Sequence, residues 1–64
     1  MPYYELEFSH GPFYKCIHAT KKPTEDEITL NCVNFVASYG PCSKVKRISK
    51  VDAFACYDDI KEYN

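Results

Sequence analysis

Two glycines are all that this 64-residue chain contains, Gly11 in a polar turn and Gly40 at the end of an apolar-periodic run, so no glycine-rich loop exists to cradle a phosphate. Charge of one sign is equally scarce. Eight Lys and Arg stand against nine Asp and Glu, a formal net charge of −1, and no overall field steers the chain towards nucleic acid or an anionic membrane. No run approaches the roughly 20 apolar residues of a membrane span. The opening MPYYELEFSHG places glutamates where a secretory signal needs an apolar run. The expectation is a cytoplasmic protein without membrane association. Internal repeats and low-complexity linkers are also lacking, and the length suits a single domain over residues 1–64.

Close cysteine pairs are the next absence. Cys16, Cys32, Cys42 and Cys56 are separated by 15, 9 and 13 residues, so no two cysteines lie two to four residues apart to start a structural zinc site. No metal and no cofactor are therefore expected. In a reducing compartment the thiols are expected to stay reduced, with cysteine serving as a small buried hydrophobe.

Catalytic apparatus is missing in the same way. Within FYKCIHA, residues 13 to 19, Cys16 and His18 share a strand face with Cβ atoms roughly 7 Å apart. A nucleophile needs its base in hydrogen-bond reach, an orienting acid, an oxyanion donor and a cleft, and a chain this small has little room for them. The pair reads as packing and the protein as a non-enzyme.

What the chain has in quantity is aromatic surface: six Tyr and four Phe make 16% of it, within a composition that is 45% hydrophobic. A domain of this size buries only about 60% of the surface its unfolded chain exposes, so some rings must stay outside. Exposed rings grouped on one face mark a contact surface.

The elements follow from periodicity. YYELEF, residues 3 to 8, alternates, with Tyr4, Leu6 and Phe8 on one side and Tyr3, Glu5 and Glu7 on the other. SHGP then supplies a turn, with Gly11 able to take positive φ and Pro12 breaking the ladder, and FYKCIHA forms the second strand of a hairpin with apolar residues on both faces. Thr24 and Glu27 make a capping box that opens a helix over residues 25–39, with Ile28, Cys32, Phe35, Val36 and Tyr39 as its stripe and Leu30, Val33 and Ala37 widening it. The acidic knot Glu25, Asp26 and Glu27 is explained by the helix dipole, and Gly40 with Pro41 stops the helix. KVKRISKVDAFACY, residues 44 to 57, reads as extended chain with a bulge or bend near Ser49, and DDIKEYN as either a last helical turn or a frayed end.

The order strand, strand, helix, strand predicts an α+β fold: a small ββαβ domain with a three-stranded antiparallel sheet, order 2-1-3, and one helix packed on one face. The other face would lie open, and function would sit there. The expected contact residues are Tyr3, Glu5, Tyr14 and His18 on that face, with Lys46 and Arg47 from the basic run. The function expected is that of a small protein-binding module that inhibits or regulates a larger protein or complex, as phage-encoded antagonists of bacterial enzymes and defence systems do, with a homodimer through the sheet as a further partner. Binding of single-stranded nucleic acid by the aromatic face and basic residues 44–50 ranks below it, since the glycine and aromatic signature of RNA-recognition strands is absent.

Overall fold

The computed structural model describes residues 2–62. Seven short elements follow one another: β1 (Tyr3–Phe8), β2 (Phe13–His18), α1 (Glu25–Asn31), α2 (Val33–Tyr39), β3 (Cys42–Ile48), α3 (Lys50–Cys56) and β4 (Ile60–Glu62). The sheet order is β3-β1-β2-β4. Its first three strands have the expected 2-1-3 arrangement with antiparallel neighbours, and β4 pairs in parallel with β2, so the sheet is mixed and four-stranded. The class is small α+β, with three helices where one was expected.

Alternation in β1 decides the core. Tyr4, Leu6 and Phe8 are buried and join Ile17, Ala19, Ile28 and Cys32 in one apolar cluster, against which Phe35, Val36, Tyr39, Cys42 and Val45 pack. Rings close its margin: Phe8 meets Phe35 with centroids 4.6 Å apart, and Phe13 stacks on Tyr39 at 3.9 Å. Cross-strand register settles which way β2 faces. Phe13, Lys15 and Ile17 lie opposite Phe8, Leu6 and Tyr4 on the α1 and α2 side, and Tyr14, Cys16 and His18 lie on the other.

The long helix expected over 25–39 is two helices. Thr24 forms the predicted capping box, its hydroxyl accepting from the Glu27 amide at 3.2 Å while the Glu27 carboxylate accepts from the Thr24 amide at 2.9 Å. The bond from the Thr24 amide to the carboxylate first, and the Thr24 side chain second, hold the Glu27 carboxyl below its ordinary pKa. The break comes at Cys32, with φ −120° and ψ 39°. Asn31 donates its side-chain amide to the Glu27 carbonyl, and the Asn31 carbonyl accepts from Lys61 Nζ at 3.1 Å, so local side-chain bonds take over backbone positions where the ladder bends. Leu30 and Val33 stay exposed, at 80% and 60%, instead of widening the buried stripe, because at about 100° per residue they lie well round the helix from Ile28.

The turn between β1 and β2 spans four residues, Ser9 to Pro12, and among the described residues only Gly40 has positive φ. Four-residue hairpin loops are most often built on a type I turn, which needs no left-handed residue, so the freedom of Gly11 to take positive φ is not used. The bulge also lies elsewhere. Glu7 faces Lys44 and Phe8 faces Cys42, so the extra residue is Ser43, not one near Ser49. Val45 and Ile48 are three apart because they face opposite sides of an ordinary strand.

The largest departure follows Ile48. Ser49 is an N-cap, its hydroxyl accepting from the Asp52 amide at 3.1 Å, and residues 50–56 form α3 where extended chain was expected. β4 then replaces the last turn or frayed end over residues 60–62, while Tyr63 and Asn64 of that run lie outside the described residues.

Candidate functional site

α3 sits over the sheet face that was expected to be open. Its one buried residue is Ala53, which is small enough to let the helix approach, and Tyr57 just beyond its end donates its hydroxyl to Glu5 Oε2 at 2.7 Å. Cys16, directly across from Glu5, is fully buried. The second face is thus covered by seven residues of helix, and only partly.

The covering holds the Tyr57 hydroxyl in a half-buried site against a carboxylate, so burial first and Glu5 second push its pKa above the phenol's usual 10. The folded chain therefore keeps this proton at pH values where the unfolded chain has lost it. Its stabilising contribution is complete below about pH 10 and is lost as pH rises further. Tyr57→Phe is expected to cost about 1 to 2 kcal/mol at neutral pH, because Glu5 loses its donor. The variant should lack this one component of alkaline destabilisation, and urea midpoints for both proteins between pH 8 and 11 check it. Equal midpoints at neutral pH with parallel alkaline losses would show that the bond holds nothing.

Five of the six expected contact residues share this face, and one does not. Register puts Tyr3, Glu5, Tyr14, His18 and Lys46 together, whereas Arg47 lies opposite Tyr4 on the α1 and α2 side. Alternation explains the correction: neighbours in a strand point to opposite faces, so Lys46 and Arg47 cannot act as one patch on the sheet. Lys44 and Lys46 are also set across from Glu7 and Glu5, and opposite charges in that position favour each other. Glu5 accepts from Tyr57 and so ties the end of α3 to the sheet.

Tyr3 and His18 form the centre of what remains. Their rings stack with centroids 4.3 Å apart and planes 8° apart, and Phe54 of α3 meets Tyr3 edge-on at 5.7 Å. Glu62 Oε1 of β4 lies 3.5 Å from His18 Nδ1. α3 leaves Val51 77% and Phe54 59% exposed, and Tyr14 stands out from β2 on the same side of the sheet.

The chain matches no family model, no curated protein and no solved structure. Function is therefore read from this surface and its chemistry alone.

The thiol on this face is not placed as an activated nucleophile. Burial first and the Glu5 charge second raise the Cys16 pKa, the opposite of what activates a thiolate, and the buried Sγ lies 4.0 Å from the Ile17 carbonyl. His18 shares the face, but its ring is stacked on Tyr3 and set beside Glu62. Cys16 and Cys32 lie under opposite faces of the sheet, and among the described residues no three His, Cys, Asp or Glu side chains gather to hold a metal ion. Nor is any helix of the described residues long and apolar enough to cross a membrane. Phe54, Tyr57 and the acidic residues that follow are the site residues that sequence periodicity missed. Their signal was SKVD, residues 49 to 52, a serine with an acidic residue three places later at a helix start.

Proposed function

We propose that the protein is a non-enzymatic protein-binding module whose contact surface is the α3 side of the sheet, and that it acts by occupying a surface on a larger protein or complex. The observation that carries this reading is α3 itself: the helix buries one alanine and leaves Val51 and Phe54 in solvent. An element held by so little, beside a stacked tyrosine and histidine, has the makeup of an interface centre, with rings and apolar area in the middle and charges of both signs around them. Inhibition or regulation of the bound protein is the consequence we favour. The free edge of β3 is a weaker candidate, because exposed Lys44 and Lys46 line it as guards against strand addition.

Protein is favoured over nucleic acid on two grounds. α3 stands over part of the ring-bearing face, and the basic run divides between the two sides of the sheet, two of its lysines facing glutamates. A nucleic-acid surface would need those cations free to displace counterions, with affinity falling steeply in salt.

Two paired variants test the reading. Val51→Asp with Phe54→Asp changes the α3 surface; Leu30→Asp with Val33→Asp changes the exposed apolar residues of α1 and α2, and all four positions are exposed enough for the chain to fold. The proteins that wild type enriches from its host are compared with those each pair enriches. Loss of the same protein with the α3 pair alone is the expected result, by at least tenfold for a central hot spot. Loss with the α1 and α2 pair alone would move the function to the other side of the molecule.

A further inference from the structure

Between β2, β4 and the C-terminal end of α3 lies a cleft of about 360 Å³, walled by the Tyr3, His18 and Phe54 rings and rimmed by Asp58, Asp59 and Glu62. We infer that this cleft is the seat of an arginine side chain presented by the bound protein. The inference rests on the protein-binding reading above and names the chemistry of its contact.

Two features select a guanidinium. The first is charge: three carboxylates stand at the rim, and no lysine or arginine is among the described residues that line it. Arg47 and Lys50 line a separate cleft that shares only Tyr3 with this one. The second is the set of rings. A planar guanidinium stacks on aromatic surface and offers its fork to a carboxylate at the same time, whereas an ammonium is a compact, strongly hydrated point charge. Glu62 is engaged with His18, which leaves Asp58 and Asp59 for the fork. Phe54, more than half exposed, has ring surface left to cover.

The size of the cleft agrees with this. It lies at the lower end of the range for small-molecule sites and suits one side chain. It also adjoins Phe54, whose neighbour in the exposed apolar surface, Val51, would meet the rest of the partner's segment.

The test is a ¹⁵N NMR titration of the full chain with a blocked Gly-Arg-Gly peptide, run beside the same peptide with neutral, isosteric citrulline and with lysine. Saturable shifts centred on Tyr3, His18, Phe54, Asp58 and Asp59 are expected, about tenfold weaker with citrulline and weaker with lysine. Phe54→Ala and the double variant Asp58→Asn with Asp59→Asn should each weaken the arginine peptide about tenfold, with the dispersion of the remaining resonances confirming the fold. The inference is overturned by shifts that avoid the cleft, by citrulline or lysine binding as well as arginine, or by shifts that persist unchanged in Phe54→Ala. It is also overturned if the cleft resonances move on simple dilution, since the occupant is then a second copy of this chain. A partner lost with the α3 pair while the titration stays silent would remove the arginine seat alone and leave the protein-binding reading in place.

Discussion

Phe8→Ala is expected to remove most of the protein's stability. The ring is almost wholly buried at the end of the central strand and is the largest fully buried side chain of the core. It meets Phe35 of α2 at 4.6 Å, so its loss opens a cavity between the sheet and the helix that closes it. Truncation of a buried Phe costs about 3 to 5 kcal/mol. A chain of this length holds about 3 to 10 kcal/mol in all. The variant should therefore unfold at a urea midpoint well under half that of wild type, or show a collapsed near-ultraviolet spectrum before any urea is added. Phe8→Leu, which keeps most of the volume, should cost about 1.5 kcal/mol or less. An alanine variant within 1 kcal/mol of wild type would mean that the ring does not fill the core as described.

Gly40→Ala is the second large effect, and it acts through the backbone. Gly40 ends α2 at φ 82° and ψ −179°, a conformation that is close to glycine-only. The same position is crowded. A Cβ there would come within 2.9 Å of Ser9 Oγ and 3.0 Å of His10 Nδ1, from the turn between β1 and β2. The Ser9 hydroxyl is held there by donating to the Pro41 carbonyl at 3.0 Å, whereas the exposed His10 ring can turn aside. Backbone strain alone costs about 1 to 3 kcal/mol. With the contacts added, the expectation is about 3 kcal/mol, a fall in Tm on the order of 10 to 20 °C for a domain this small. Adding Ser9→Gly and His10→Gly should recover the steric part and leave the strain. An unchanged Tm in Gly40→Ala would show that the helix end does not hold the hairpin turn.

These two sites show where sequence and structure agree. The alternation of Tyr4, Leu6 and Phe8 was legible because one face of β1 is buried and the other is not. The capping box of Thr24 and Glu27 and the stop at Gly40 were legible because each supplies a backbone need by a fixed residue type. The break at Cys32 was not, since the apolar stripe continues through it and the lysine that meets the Asn31 carbonyl there, Lys61, lies thirty residues away. α3 was hidden for a different reason. Val51, Ala53 and Ala55 are spaced by two like a strand, and the helix has only one buried residue, so no 3.6-residue stripe existed to be read.

That misreading bears directly on the site. With residues 50–56 taken as strand, the second face of the sheet has no cover, and Glu5 looks available to a partner. With α3 in place Glu5 bonds Tyr57 and Cys16 is sealed, and the helix adds exposed Val51 and Phe54 to the exposed Tyr14 of β2. Tyr3 and His18 keep the same face in either reading, because that face is fixed by the register of β1 with β2 and not by what lies over it.

The most direct measurement of the central claim is photo-crosslinking from position 54, with p-benzoylphenylalanine in place of Phe54 and a control chain carrying it in place of Val33. Both positions are about 60% exposed, so access to the probe is matched and only the surface differs. One protein adduct is expected from position 54, suppressed by excess wild-type chain, with little or none from position 33. A protein adduct from position 33 alone, or nucleic acid as the species captured from position 54, would contradict the claim.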